Sequence, residues 1–341
     1  MNLTLAILKK RVLLVDMDSQ GNATMGSGVQ KNDLLYSVTD VLLGEVPIET
    51  AIQKAEVGYK VLGANRELAG VELVIAEQDG REFILKNALQ EVASSFDYII
   101  VDECHRISYD ENSMYRKLRA VLTAPWIGYT ATYFRLGTGY IFGDADHHLF
   151  DEVVHDWTHK EKFVELVKLG YLSPLIAKGT GFKMDTSDIK MVGGDFNLKQ
   201  LSDEFDRDAV TNAILEECMV KGEGRKQWLF FAIDMKHADH IAEWLIRRGK
   251  KTIVVHSKME EYGFDRDKII SDIKDFKYDA IVNVDILTTG FDHPAIDLIC
   301  ILRPTESPVL HVQMDGRGSR TFPGKSDCLI LDFAGNHERL G

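Results

Sequence analysis

Asp102 and Glu103 close an apolar run, Tyr98-Ile99-Ile100-Val101, and His105 follows two residues later. Paired carboxylates at the end of a buried strand suit a magnesium–nucleotide site, where one acid holds the metal and its neighbour orients a water. Far downstream, Arg317 and Arg320 stand three apart in Gln313-Met314-Asp315-Gly316-Arg317-Gly318-Ser319-Arg320. A helix there would set both on one face, where guanidinium groups stabilise charge on a transferring phosphoryl group. Between these blocks come Thr130-Ala131-Thr132 and Thr288-Thr289-Gly290-Phe291-Asp292. Each block alone is short enough to recur by chance. Four in this order, each at a strand or helix edge, make a stronger signal than any one alone. Nearer the start, Asp16 and Asp18 end another apolar stretch. The alternatives are plain ones: a helix-start cap for Asp102-Glu103, a solvated strand end for Asp16 and Asp18, and a surface ion-pair face for Arg317 and Arg320.

These residues need strands and helices to hold them. Apolar runs at 11–16, 59–62, 97–102, 126–129, 228–233, 251–256, 278–284, 296–302 and 328–333 are mostly continuous rather than alternating. That pattern marks strands buried on both faces of a parallel sheet. Amphipathic stretches separate them. In 237–248, Ala238, Ile241, Ala242 and Leu245 fall at helical spacing, and Gly249 ends the run. The fold class is α/β, doubly wound, in two lobes. The stretch 170–207 carries six glycines or prolines and weak periodicity, so the lobes divide there. His237 and His240 read as the polar face of their helix. His147-His148, beside Asp144 and Asp146, reads as a solvated loop, because adjacent residues seldom point the same way. Trp126, Trp157, Trp228 and Trp244 read as core or lobe-packing groups.

Composition bounds the rest. The chain has 341 residues, 45% of them hydrophobic, which is enough for two or three ordinary domains. A net charge of −13 disfavours tight, purely electrostatic binding to nucleic acid but leaves room for a locally basic channel. Cys104, Cys218, Cys300 and Cys328 are scattered, with no Cys-x-x-Cys pair, which excludes a zinc site of the usual spacing. Reduced cysteines, no signal-peptide pattern and no membrane-length apolar run predict a cytoplasmic protein without a membrane partner.

From about residue 97 onward the chain resembles the motor core of DEAD/DEAH-box helicases of superfamily two, most like RadD-type bacterial DNA-repair helicases. The blocks quoted above carry the resemblance, with Gly128 to Gly137, Leu169 to Leu175 and Gln313 to Asn336. It implies two RecA-like lobes, with Mg²⁺ and ATP as cofactors and DNA as partner, RNA being left open. Asp102 would bind Mg²⁺ and Glu103 would position the attacking water. His105, Thr130 and Thr132 would couple nucleotide state to the nucleic-acid track. Gly290, Asp292 and Gln313 would serve the nucleotide, with Gln313 also bridging the lobes. Ser257 and Thr289 would contact backbone phosphates, and Arg317 and Arg320 would be arginine fingers.

The first hundred residues are similar to something else. Lys10 to Thr24, Asp40 to Glu45 and Ala64 to Gly70 resemble ParA-type partition ATPases, with Ser19 where that family's pattern has proline. The resemblance implies that Asp16 and Asp18 serve the Mg²⁺ side of a site. Both resemblances meet in the strand at 96–102. The chain therefore reads as a hybrid: 1–101 ParA-like, 102–175 the helicase part of the first lobe, 176–206 a linking segment, and 207–341 the second helicase lobe.

No Gly-x-x-x-x-Gly-Lys-Ser/Thr loop occurs in the sequence. The nearest approach, Ser319 to Ser326, has serine for the first glycine and reads as a turn. In the ParA-type pattern the loop would precede Asn2, and in the helicase pattern it would lie in the replaced half. Weak or absent ATP binding is the expectation. The leading reading is an ATP-dependent nucleic-acid translocase of the helicase family. Its rivals are a ParA-like partition ATPase and a non-catalytic chimeric chain.

Overall fold

The computed structural model describes residues 9–18, 21–56, 58–68, 71, 84–102, 104, 125–130, 133–135, 139–143, 150–156, 158–256, 259, 263–284 and 293–341. The chain divides into two compact units, Met1–His155 and Asp156–Gly341.

In the first unit the strands are β1 (Val12–Val15), β2 (Ile52–Lys54), β3 (Lys60–Leu62), β4 (Tyr98–Val101) and β5 (Trp126–Gly128). They form a five-stranded sheet in the order β2-β3-β1-β4-β5. All pair in parallel except the edge strand β2, which runs antiparallel to β3. The continuous apolar runs fill both faces, because alternate residues point to opposite sides. Leu13, Val15, Leu62 and Ile99 pack under helical residues such as Val41, Ile48 and Leu89. Val12, Leu14, Val61 and Ile100 face the other way. The helix Val38–Leu42 starts at Ser37, whose hydroxyl accepts from Thr39 N at 3.1 Å while Asp40 Oδ2 accepts from Ser37 N at 2.6 Å. This reciprocal cap satisfies two donors that the helix leaves open. A small hairpin, β6 (Phe134–Arg135) and β7 (Gly139–Tyr140), follows.

The second unit begins with β8 (Leu175–Lys178), which joins its main sheet, and a separate short hairpin, β9 (Met191–Val192) with β10 (Asp195–Phe196). It continues with β11 (Trp228–Phe231), β12 (Thr252–His256), β13 (Ala280–Val284), β14 (Leu298–Ile301) and β15 (Cys328–Asp332). The six-stranded sheet has the order β12-β13-β11-β14-β15-β8, parallel throughout. Trp228, Phe230, Val282, Cys300 and Leu331 fill one core, and Leu229, Phe231, Ile281, Ile299 and Ile330 fill the other. The α/β class with parallel sheets is as the sequence predicts.

The segment 176–206, expected to link the lobes, is instead part of the second unit. It supplies most of β8, and Met184, Phe196, Leu201 and Phe205 enter the core. Its buried apolar residues are spaced singly among polar ones, so no continuous run marks them. A second correction concerns the helix Met235–Arg247. Ala238, Ile241, Ala242 and Leu245 are buried as their spacing requires, but His237 is buried too, at 0% exposure. It lies one helical turn before Ile241 and two before Leu245, on the same inward stripe. His240 does sit on the polar side, its Nδ1 2.8 Å from Asp206 Oδ1. The four cysteines are buried. No described helix is long and apolar enough to cross a membrane.

Candidate functional site

In the first sheet β1 lies between β3 and β4. The chain fills one side of β1 with β2 and β3, then crosses to β4 and β5 on the other. The crevice beyond the carboxyl ends of β1 and β4 is therefore a topological switch point, where open α/β sheets bind ligands. Val15 pairs with Val101, so Asp16 and Asp102 leave the sheet side by side, and Asp102 N donates to Val15 O at 3.3 Å. Asp16 and Asp18 are buried and Asp102 is half-buried. The structure thus brings Asp16 beside Asp102, 86 residues away in sequence (102 less 16).

The loop after β1 is built around Asp16. Its Oδ2 accepts from Thr24 N at 2.8 Å and Thr24 Oγ1 at 2.7 Å, and its Oδ1 accepts from Asp18 N at 3.1 Å. Thr24 Oγ1 in turn accepts from Ala64 N at 3.0 Å. Burial pushes the Asp16 carboxyl above its ordinary value, while the bonds from Thr24 and Asp18 pull it back. Gly21 turns the loop at a φ of 62°, and a Cβ there would sit 2.5 Å from Ala64 O. Glycine is needed at such a close left-handed approach. Tyr129, just past β5, has its phenol pushed up to about 12, first by burial and then by the charge of Asp102. Thr130 follows it, half-buried. Glu103, His105, Thr132, Ser257, Thr289, Gly290 and Asp292 lie outside the described residues.

In the second unit Gln313 lies half-buried on the helix Pro308–Gly316, which Ser307 caps by accepting from Leu310 N at 3.3 Å. The two arginines do not share a helical face. The helix ends at Gly316, Arg317 is its half-buried cap, and exposed Arg320 lies in the irregular chain beyond. Beyond the helix Gly318 lies close against β15, where a Cβ would meet Cys328 Sγ at 2.6 Å. Ser319 O then accepts from Ser173 N at 2.7 Å. The turn expected at 319–326 is present at Pro323–Gly324. Its Lys325 Nζ donates to Gly318 O at 2.8 Å, Arg320 O at 2.8 Å and Pro294 O at 3.1 Å. That ammonium closes a loop and has no donor left for a phosphate.

Sequence reasoning missed Thr24, which no periodicity links to Asp16. It also missed a cluster on the second unit: His311 and Asp315 on the helix Pro308–Gly316, His337 on Asn336–Leu340, and Asp332 at the end of β15. His337 Nε2 is 2.9 Å from Asp315 Oδ2, and its Nδ1 is 3.2 Å from Asp332 Oδ2. These two carboxylates, Asp315 first, hold the His337 imidazolium up to about 10, whereas burial pushes His311 down. The available signal was the four-residue spacing of His311 and Asp315.

Carboxylate oxygens such as those of Asp102 and its neighbour Asp16 are the hard donors that Mg²⁺ prefers. Among the described residues no glycine–lysine cradle accompanies them.

Residues 1–116 match the family model described as an AAA domain, and residues 210–321 match that of the helicase conserved C-terminal domain. The chromosome partitioning protein ParA of Myxococcus xanthus is 40% identical over 100 residues, which is 29% of this chain and 35% of that protein. A Saccharomyces cerevisiae protein described as an ATP-dependent helicase, IRC3, is 29% identical over 248 residues, 71% of this chain and 34% of that protein. The chain thus spans about a third to two fifths of the length of the curated relatives it matches. A solved fragment described as an HsdR subunit of a type I restriction enzyme from Vibrio vulnificus covers 97% of this chain and 55% of its own, with a TM-score of 0.56 and 17% identity, a likeness of fold. The chain is similar to ParA-type ATPases in its first hundred or so residues and to superfamily-two helicases downstream.

Proposed function

We propose that this chain is a nucleic-acid-dependent ATPase of the superfamily-two helicase kind, with DNA as its track and a low affinity for nucleotide. The observation that supports it is the placement of Asp16 and Asp102 side by side at the carboxyl ends of β1 and β4. Asp102 is the acid that would hold Mg²⁺. Glu103 would orient the attacking water, and Arg317 would stabilise the transferring phosphoryl group. Low affinity follows from the sequence, which holds no phosphate loop of the Gly-x-x-x-x-Gly-Lys-Ser/Thr kind. The backbone N–H groups and lysine of such a loop carry much of the binding to β- and γ-phosphates.

Calorimetric titration of the full chain with Mg-ATP is expected to give a dissociation constant weaker than about 1 μM, which is ~−8 kcal/mol. A tighter constant overturns the affinity reading. Hydrolysis measured with and without single-stranded DNA tests the roles. Glu103→Gln should leave binding nearly unchanged and abolish turnover, and Arg317→Ala should lower kcat by ~10³-fold. Unchanged turnover in both variants removes them from the mechanism. The 40% identity of the first hundred residues to a partitioning protein favours a second reading, an ATP switch acting on DNA. That reading predicts ATP-dependent DNA binding that survives Arg317→Ala.

A further inference from the structure

We propose that His311, Asp315 and His337 form a zinc site on the second unit, oriented by Asp332. Three observations carry it. First, one ligand atom from each of the three residues lies within 4.8 Å of the others. A tetrahedral zinc ion with bonds of 2.0–2.1 Å to nitrogen and oxygen sets its ligands about 3.3 Å apart. The distances found bracket that spacing: 2.9 Å from His337 Nε2 and 3.9 Å from His311 Nε2, both to Asp315 Oδ2.

Second, the set contains an unsatisfied buried group. His311 is 3% exposed, and its Nδ1 is buried with no hydrogen-bond partner. The 3.9 Å gap at its other nitrogen is longer than a hydrogen bond. Asp315 Oδ1 is likewise buried without a partner. These are the second nitrogen and second oxygen; the ligand atoms are Nε2 and Oδ2, and an ion between them gives the His311 ring a partner it lacks. Third, His337 is oriented as a metal-bound imidazole is. One nitrogen faces the first carboxylate, and the other, Nδ1, sits 3.2 Å from Asp332 Oδ2. Asp332 is itself fixed, since its Oδ2 accepts from His337 N at 2.8 Å and its Oδ1 from Ala334 N at 3.1 Å. A carboxylate behind a ligating histidine sets the ring's tautomer and orientation.

Two imidazoles and one carboxylate suit zinc, with a fourth position open to water. The helical spacing of His311 and Asp315 puts both on one face, and His337 closes the set from a separate helix. The ion takes the place of the proton now shared between His337 Nε2 and Asp315. It would tie the helix that carries Gln313, and is capped by Arg317, to the chain end at 336–340. None of this rests on the switch point in the first unit.

The test uses the full chain, stripped with a chelator and desalted, and Zn²⁺ alone as the probe. Calorimetry is expected to show one equivalent bound, and Co²⁺ in its place should give the visible absorption of a tetrahedral site. His311→Gln should lower the affinity at least 100-fold. Asp332→Asn, which leaves all three ligands present, should lower it 10–100-fold. Circular dichroism of both variants separates lost ligation from lost folding. A wild-type chain that binds no zinc overturns the proposal, as does zinc binding that persists unchanged in folded His311→Gln. Tighter binding of Fe²⁺ than of Zn²⁺ overturns the assignment of the ion.

Discussion

Thr24 allows Asp16 to stay buried at the end of β1. Its hydroxyl does two tasks at once, donating to Asp16 Oδ2 at 2.7 Å and accepting from Ala64 N at 3.0 Å. Thr24→Val keeps the side-chain shape and removes both bonds, leaving a backbone N–H and a carboxylate oxygen short of partners inside the protein. A buried group so stranded costs about 1–3 kcal/mol. Urea denaturation of the first unit is expected to shift by that amount, while Thr24→Ser retains most of the stability. Equal midpoints for Thr24→Val and wild type would show that water replaces the lost bonds. Asp16 itself was legible in the sequence, as an acid after an apolar run. Thr24 was not, because a loop residue eight positions away bears no periodic relation to the acid it holds. Lys325 shows the opposite limit. Its Gly-Lys-Ser context looks like part of a phosphate loop, and only the three carbonyls around its ammonium reveal a structural clasp.

At the scale of elements, the helix Met235–Arg247 carries a pH dependence. Its buried His237 has a pKa lowered to about 4, chiefly by burial, with Asp206 and Asp234 opposing the shift and His240 and Lys236 adding to it. Histidine in the unfolded chain titrates near 6.5, so between about pH 6.5 and 4 the unfolded state binds more protons than the folded one. Stability from this group is therefore complete above about pH 6.5 and is lost as the pH falls towards 4. The tryptophan-monitored denaturation midpoint of the second unit is expected to fall across that window. His237→Gln should flatten the fall, and identical slopes in the two proteins would assign it to another group. The strands were legible because each is a continuous apolar run, wet on neither face. The edge strands β2 and β8 were not, since one is three residues long with an exposed lysine and the other is mostly exposed. The end of the helix Pro308–Gly316 was also hidden. Just beyond it Gly318 lies close against Cys328, and an approach between residues so far apart in sequence leaves no local mark.

The two units differ in how their sheets are covered. Both faces of the second sheet carry large clusters of buried side chains. In the first, one face carries a large cluster and the other a small one around Val12, Leu14 and Ile100, among the described residues. Hydrophobic stabilisation grows with the apolar area buried, so the second unit is expected to outlast the first. Limited proteolysis with mass spectrometry should give early cuts before about residue 170 and a resistant C-terminal fragment. A resistant N-terminal fragment would reverse the order and favour the partition-type reading. The strand β4 has a further consequence. Its one edge pairs with β1, from the ParA-like part, through Val12↔Tyr98 to Val15↔Val101. Its other edge pairs with β5, from the helicase-like part, through Ile99↔Trp126 to Val101↔Gly128. A parallel ladder is made of main-chain groups alone, so it is indifferent to which side chains flank it. The requirements on such a strand are few: apolar residues on both faces and an acid directly after. Tyr98-Ile99-Ile100-Val101-Asp102 meets them for both neighbours. One short strand with these features thus pairs with a ParA-like neighbour on one edge and a helicase-like neighbour on the other.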